Sequence, residues 1–196
     1  MKSPLPPSDI TLGILAGGRA SRLGGQDKAW LERGGMPQVV RITRRFKAQV
    51  GSMLVSANRD RQRYAEHGLV AVADDAPDAG PMGGIDALVR VCRTPWLLTL
   101  PVDVIDVSEC LLQILAAKAG ITGASAIDDD GPQPLVALWR VERLHEAIAA
   151  AMTCRDFAIH TLQERLNMAQ VRFAGVRFGN LNTPADLIAA GIDSTP

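Results

Sequence analysis

Between positions 15 and 28 the chain reads LAGGRASRLGGQDK. Four glycines, Gly17, Gly18, Gly24 and Gly25, lie in one loop with Arg19, Ser21, Arg22 and Lys28, directly after an apolar run at residues 10–15. Glycine lets backbone approach a ligand closely, and loop N–H groups that turn inward make a concavity for an anion. Lysine adds a compact positive charge, and arginine a fork able to hold two oxygens at once. A nucleoside triphosphate is the ligand that uses all of these. The plainer alternative is a glycine-rich turn with solvated charges, which the four glycines and the cations directly after an apolar run disfavour. The loop is neither a Walker A sequence nor the Gly-x-Gly-x-x-Gly of dinucleotide folds.

Other polar groups stand at similar places. Asp103 follows the apolar run at 96–100, Asn58 ends the run at 53–57, and Asp74, with Asp75 beside it, ends the run at 69–73. Magnesium binds through one or two carboxylates together with phosphate oxygens and water, so Asp103 suits a metal carried by a triphosphate; the alternative is a helix cap, which Ser108 supplies better. Asn58 can both donate and accept towards a base or ribose, or it can simply make a turn. The segment Gly80-Pro81-Met82-Gly83-Gly84 precedes a helix and offers N–H groups. His67, His145 and His160 have no ligand spacing and read as structural or surface residues.

Positioning these groups needs a sheet. Strands are expected at 10–15, 53–57, 69–73 and 96–100, separated by helices at 37–50 and 60–67 and by one carrying Ile85, Leu88, Val89 and Cys92 on one face. A fourth helix, capped by Ser108, should turn Leu111, Ile114 and Leu115 inward. Residues 121–127 and 133–139 read as two strands joined by the acidic turn Asp128-Asp129-Asp130-Gly131, too close for a crossover and therefore antiparallel. Helices at 141–152 and 156–167, a strand region at 170–178 and a helix from Thr183-Pro184 to 190 complete the chain. The fold class is α/β: one three-layer α/β/α domain over residues 9–192, with a mostly parallel sheet, one antiparallel strand and a loose proline-rich tail at 1–8. In such sheets ligands bind beyond the carboxyl ends of the strands. The glycine loop, Asn58, Asp74 and Asp103 should therefore meet on one edge.

Composition narrows the function further. In 196 residues, Lys+Arg and Asp+Glu balance at 21 each, which excludes bulk nucleic-acid binding through net charge. The basic run Arg41, Arg44, Arg45 and Lys47 reads as a solvated helix face, and Arg59, Arg61 and Arg63 follow a strand. Cys92, Cys110 and Cys154 are dispersed and odd in number, and read as buried small residues in a reducing, cytoplasmic setting. No apolar run is long enough to span a membrane.

The string at 15–28 resembles the signature Leu-Ala-Gly-Gly-x-x-x-Arg-Met-Gly-Gly-x-Asp-Lys of the MobA-like nucleotidyltransferases, the molybdenum cofactor guanylyltransferases, with Leu23 in place of Met. The similarity continues at Asn58 in SANRD, Asp74, Gly80–Gly84, Pro101-Val102-Asp103 (Pro-Cys-Asp in the family) and Asn180-Leu181-Asn182-Thr183-Pro184. It implies a Rossmann-like nucleotidyltransferase fold and transfer of GMP from Mg·GTP to the phosphate of molybdenum-molybdopterin, Mn2+ being a substitute metal. By the same resemblance, Arg22, Lys28 and Asp103 are catalytic, and Asp103 holds the metal. Leu15, Ala16, Gly17, Gly18, Lys28, Asn58, Asp74, Gly83 and Asp103 bind the nucleotide. Arg22, Gly25, Arg155, Asn180 and Asn182 face the acceptor, and helix initiation accounts equally well for Asn182. Gln133 stands where the family has histidine before proline. Molybdenum-insertion or molybdoenzyme chaperone proteins are the implied partners. The guanylyl branch carries Leu-Ala-Gly-Gly, as here, and the cytidylyl branch Leu-Ala-Ala-Gly. The alternatives are a related cytidylyltransferase, a sugar-1-phosphate nucleotidyltransferase, or a non-catalytic nucleotide-binding partner protein.

Overall fold

A computed structural model describes residues 4–17, 27–181 and 183–192. Its seven-stranded sheet runs β5-β4-β1-β6-β8-β7-β9, with β1 at Ile10–Leu15, β4 at Ser52–Ser56, β5 at Val70–Val72, β6 at Trp96–Pro101, β7 at Gly123–Asp128, β8 at Gly131–Arg140 and β9 at Ala169–Arg172. β1 pairs in parallel with both β4 and β6, β4 with β5, and β7 with β9. β8 is antiparallel to both of its neighbours. One reversed strand in a parallel sheet is the arrangement read from the sequence. The helices are α1 (Gln38–Phe46), α2 (Arg61–Glu66), α3 (Pro81–Val91), α4 (Leu111–Lys118), α5 (Val141–Cys154), α6 (Ile159–Arg165) and α7 (Pro184–Ala189).

All six residues of β1 are buried, as expected of a central strand covered on both faces. On one face Ile10, Leu12 and Ile14 join Val39, Ile42 and Phe46 of α1 and Leu111 and Leu115 of α4. On the other, Leu97 of β6 and Trp139 of β8 pack with Ile85 and Leu88 of α3 and Leu144 and Ile148 of α5. Gly13 permits this second contact, because a Cβ there would lie 2.8 Å from Leu88 Cδ1 and 2.9 Å from Leu97 Cδ1. Buried Trp139 donates from Nε1 to Thr99 Oγ1 at 2.8 Å, and Thr99 in turn donates to Leu135 O.

Several expectations are corrected. A two-strand hairpin, β2 (Glu32–Arg33) with β3 (Met36–Pro37), precedes α1. Its turn is Gly34-Gly35, both at positive φ, which suits a two-residue hairpin. Pro37 therefore caps α1 instead of opening it, and the helix stops at Phe46. Ahead of β1, Pro7–Asp9 form a 3-10 turn and Leu5 packs on the core. In α4, Leu112 is buried and Ile114 is 39% exposed, since the buried face runs through 111, 112 and 115. Cys110, not Ser108, is the N-cap of α4; Ser108 stands two residues earlier, its Oγ accepting from Cys110 N at 3.2 Å. Cys92 is buried, but Cys110 and Cys154, at helix ends, are exposed. The last strand ends at Arg172, short of the expected 178.

Candidate nucleotide site

The carboxyl ends of four parallel strands lie side by side, with Val72 paired to Ser56, Ser56 to Leu15 and Leu15 to Pro101. The ladder continues one residue further. Ala57 N donates to Val72 O, Ala16 N to Ser56 O and Val102 N to Leu15 O, at 2.9, 3.0 and 3.0 Å. Pairing this regular delivers the next residues, Asn58, Asp74, Gly17 and Asp103, to one edge of the sheet.

Lys28 and Asp103 meet there. Lys28 Nζ donates to Asp103 Oδ2 at 2.8 Å, with the two side chains 22% and 18% exposed. Seventy-five residues separate them. Lys28 opens the 3-10 helix Lys28–Trp30, where Asp27 Oδ1 accepts from Ala29 N at 2.9 Å. Burial, with Asp60 nearby, raises the Asp27 pKa above the usual carboxylate value, against the lowering effect of the Ala29 hydrogen bond and of Arg63 and Arg59. Trp30 anchors the helix. Its ring lies 4.8 Å from that of buried Tyr64 and 5.3 Å from His67, and the Arg63 guanidinium sits 4.2 Å above it. His67 is thus structural, as read, while Arg63 gains a stacking role that a charge count could not show.

Asn58 and Asp74 form a second unit. Asn58 Oδ1 accepts from Asp74 N at 2.7 Å, and Asp74 Oδ1 accepts from Ala76 N at 2.7 Å. Gly83, in the first turn of α3, lies against this carboxylate: a Cβ there would be 2.5 Å from both Asp74 Oδ1 and Ala76 O. Asp75 turns away to Arg90, at 2.8 Å. Of the two adjacent acids, Asp74 is the one that faces Asn58 and Gly83. Among the described residues, the nearest atom to a Cβ added at Gly17 is Ser56 O at 3.9 Å. Ala16 is half-buried beside it, and Leu15 packs into the second core face.

The Asp103 loop is held from two sides. From α1, Gln38 Nε2 donates to Val104 O and Arg45 to Val107 O. From the C-terminal segment, Leu181 N donates to Asp103 O at 3.2 Å, which sets exposed Asn180 next to the site. Arg41 also turns inward and donates to Arg33 O at 3.1 Å. The basic run on α1 is therefore not wholly a solvated face: Arg44, Arg45 and Lys47 are exposed and Arg41 is half-buried, yet Arg41 and Arg45 both donate to neighbouring backbone carbonyls. Sequence reasoning missed Gln38 and Arg45; their heptad-like i, i+7 spacing across α1 was the available signal. Arg155 is exposed at the left-handed C-cap of α5, and no described contact joins its side chain to Lys28, Asp74 or Asp103. Gln133, near the start of β8, turns its amide to Asp128 Oδ1, to which it donates at 3.0 Å. Gly18, Arg22, Gly25 and Asn182 lie outside the described residues. Thr183, with Asp186, makes the capping box that starts α7.

The MobA-like NTP transferase domain matches residues 12–168. Molybdenum cofactor guanylyltransferase of Yersinia pseudotuberculosis (serotype O:1b) is 35% identical over 182 residues, covering 91% of this chain and 93% of that protein. The protein of the same description from Yersinia pestis (strain Pestoides F) is 34% identical over the same shares. Among solved structures, molybdopterin-guanine dinucleotide biosynthesis protein A from Archaeoglobus fulgidus superposes with a TM-score of 0.72 at 20% identity, over 92% of this chain and 96% of that one. The 2-C-methyl-D-erythritol 4-phosphate cytidylyltransferase of Thermus thermophilus superposes with a TM-score of 0.70 at 17% identity, over 91% and 96%. These two likenesses establish a shared nucleotidyltransferase fold. With the matched domain running from within β1 through β8 and including both members of the Lys28–Asp103 pair, the chain belongs to the MobA-like NTP transferase family.

Proposed function

We propose that the chain is a molybdenum cofactor guanylyltransferase, transferring GMP from GTP to the terminal phosphate of molybdenum-carrying molybdopterin. The observation that carries the reading is the Lys28–Asp103 pair at the sheet edge, a cation and a carboxylate 2.8 Å apart beside Leu15, Ala16 and Gly17. The acceptor phosphate oxygen attacks the α-phosphorus, the bond from that phosphorus to the bridging oxygen breaks, and pyrophosphate leaves. The attacking oxygen is already anionic, so the site needs no strong base. What it must supply is charge stabilisation and alignment.

Lys28 suits the leaving pyrophosphate, where negative charge grows. Asp103 suits a divalent cation shared with the triphosphate. Among the described residues no three His, Cys, Asp or Glu side chains gather. A single carboxylate nevertheless fits magnesium, which takes one or two carboxylates and fills its remaining positions with phosphate oxygens and water. The metal would neutralise phosphate charge. Asn58 and Asp74 address the guanosine, with Gly83 making room. Arg22, Gly25, Arg155, Asn180 and Asn182 are assigned to the acceptor side. In this reading the enzyme works in the cytoplasm and hands its product to molybdenum-insertion or molybdoenzyme chaperone proteins. Among the described residues no helix is long and apolar enough to cross a membrane.

The test is pyrophosphate release with molybdopterin and each of GTP, CTP and ATP. GTP should be strongly preferred. Preference for CTP would move the chain to the cytidylyl branch, and binding without release would make it a nucleotide-binding partner protein.

A further inference from the structure

Asp128 is a fully buried carboxylate to which the reaction above gives no role. It ends β7 at the acidic turn Asp128-Asp129-Asp130-Gly131. Several donors converge on it, three of them within 3.0 Å. Asp130 N and Gln133 Nε2 reach Oδ1 at 2.9 and 3.0 Å, and Phe178 N reaches Oδ2 at 2.9 Å. The third bond crosses fifty residues into a segment with no regular secondary structure. The rest of the turn grips the same segment: Asp129 N donates to Val176 O at 2.9 Å, Asp129 pairs with Arg172 at 3.0 Å and Asp130 with Arg177 at 3.3 Å.

Phe178 leads back to the nucleotide site. Its carbonyl accepts from Ile105 N and Asp106 N, at 2.9 and 3.0 Å. Three residues further on, Leu181 N donates to Asp103 O at 3.2 Å. Phe178 itself is buried and packs edge-on against Phe173, with ring centres 5.6 Å apart. The Asp103 loop has no strand or helix of its own, so its position depends on such contacts. Gln38 and Arg45 hold it from α1, and residues 178–181 hold it from the opposite side.

We propose that Asp128 is a positioning residue for Asp103, acting through Phe178, and that Gln133 serves Asp128 in place of a substrate. A carboxylate is required because only two oxygens with no attached proton can accept from all three donors. An asparagine would turn an N–H2 towards either Phe178 N–H or Asp130 N–H, placing donor against donor. Small displacements of a reacting group carry large rate penalties, so a loosened loop should show in turnover before it shows in nucleotide binding.

The experiment combines hydrogen exchange with steady-state kinetics on the wild type and Asp128→Asn. Only the kinetic arm rests on the guanylyltransferase reading. Exchange should rise about tenfold in peptides covering residues 101–107 and 176–181 while β1 and β4 stay at wild-type rates. The kcat for GTP should fall about tenfold with KM within about twofold. Gln133→Ala loosens the same carboxylate without removing it, and serves if the asparagine variant does not fold. It should give a smaller rise confined to the same two segments. Even acceleration across the whole sheet, or local acceleration with wild-type kcat, would overturn the assignment. A wild-type enzyme that transfers no nucleotide would instead count against the proposed function and leave the exchange result standing.

Discussion

Lys28 and Asp103 are too close to be independent. Lys28 Nζ lies 2.8 Å from Asp103 Oδ2, so a phosphate that takes the lysine shares it with the carboxylate. The interaction with leaving pyrophosphate strengthens as the α–β bond breaks, so Lys28→Ala should lower kcat more than it raises KM for GTP. Steady-state kinetics decide it: a rise in KM with kcat unchanged would reduce Lys28 to a binding residue. Gly17 is a different kind of position. Among the described residues, the nearest atom to an added methyl there is 3.9 Å away. Gly17→Ala should thus change stability by less than about 0.5 kcal/mol, while lowering kcat/KM for GTP more than for CTP. Equal loss with both nucleotides would show that the methyl meets something other than the base.

At the scale of elements, the first turn of α3 and the 3-10 helix after the glycine loop do the positioning. Gly83 lets α3 start directly over Asp74. A methyl there meets backbone and carboxylate at 2.5 Å, and backbone cannot move aside cheaply. Gly83→Ala should cost about 1–3 kcal/mol, the usual range for overpacking, and raise KM for GTP by shifting Asp74. Thermal unfolding with and without GTP separates the two effects. Asp27 fastens the helix that carries Lys28. Asp27→Ala removes its bond to Ala29 N and should cost about 1 kcal/mol, with a fall in kcat that Asp27→Asn, which keeps an accepting oxygen, largely restores. If alanine and asparagine behave alike in kcat, the cap does not orient Lys28.

For the whole molecule, Asp128 links the hairpin of β7 and β8 to the C-terminal segment, and its titration should be felt globally. Burial pushes its pKa up, but hydrogen bonds from Phe178 N, Gln133, Asp130 N and Gly131 N outweigh that and hold it below the ordinary carboxylate value. A group depressed on folding stabilises the protein above its unfolded pKa, about 3.9 for aspartate. That contribution is lost as the pH falls through the folded value. Melting temperature measured from pH 7 down to pH 2 should therefore drop below about pH 4, and Asp128→Asn should flatten that acid limb while lowering stability at neutral pH. An unchanged acid limb in the variant would remove Asp128 from the account. Asp27, whose pKa is raised, works in the opposite direction: its contribution is present below its unfolded value and lost as pH rises through the folded one.

The sequence by itself determined the sheet. Apolar runs alternating with helical periodicity leave few arrangements other than parallel strands covered on both faces, and the short link between 127 and 133 required one reversed strand. Because strand ends in such a sheet face one edge, it also determined that Gly17, Asn58, Asp74 and Asp103 would be neighbours. Only the tertiary structure decided which polar groups face each other. The adjacent acids Asp74 and Asp75 are chemically identical in sequence, and what separates them is that Gly83 admits one while Arg90 takes the other. Arg41 and Arg45 read as solvated because a charge pattern carries no record of the loop carbonyls that would meet them. Gln133 occupied a family histidine position, yet its partner is a carboxylate five residues earlier, brought into reach by the hairpin. Contacts across fifty to seventy-five residues, such as Asp128 with Phe178 and Lys28 with Asp103, have no local signature. Strand periodicity sets which face a side chain is on, but distance between side chains on different elements is settled only when those elements pack.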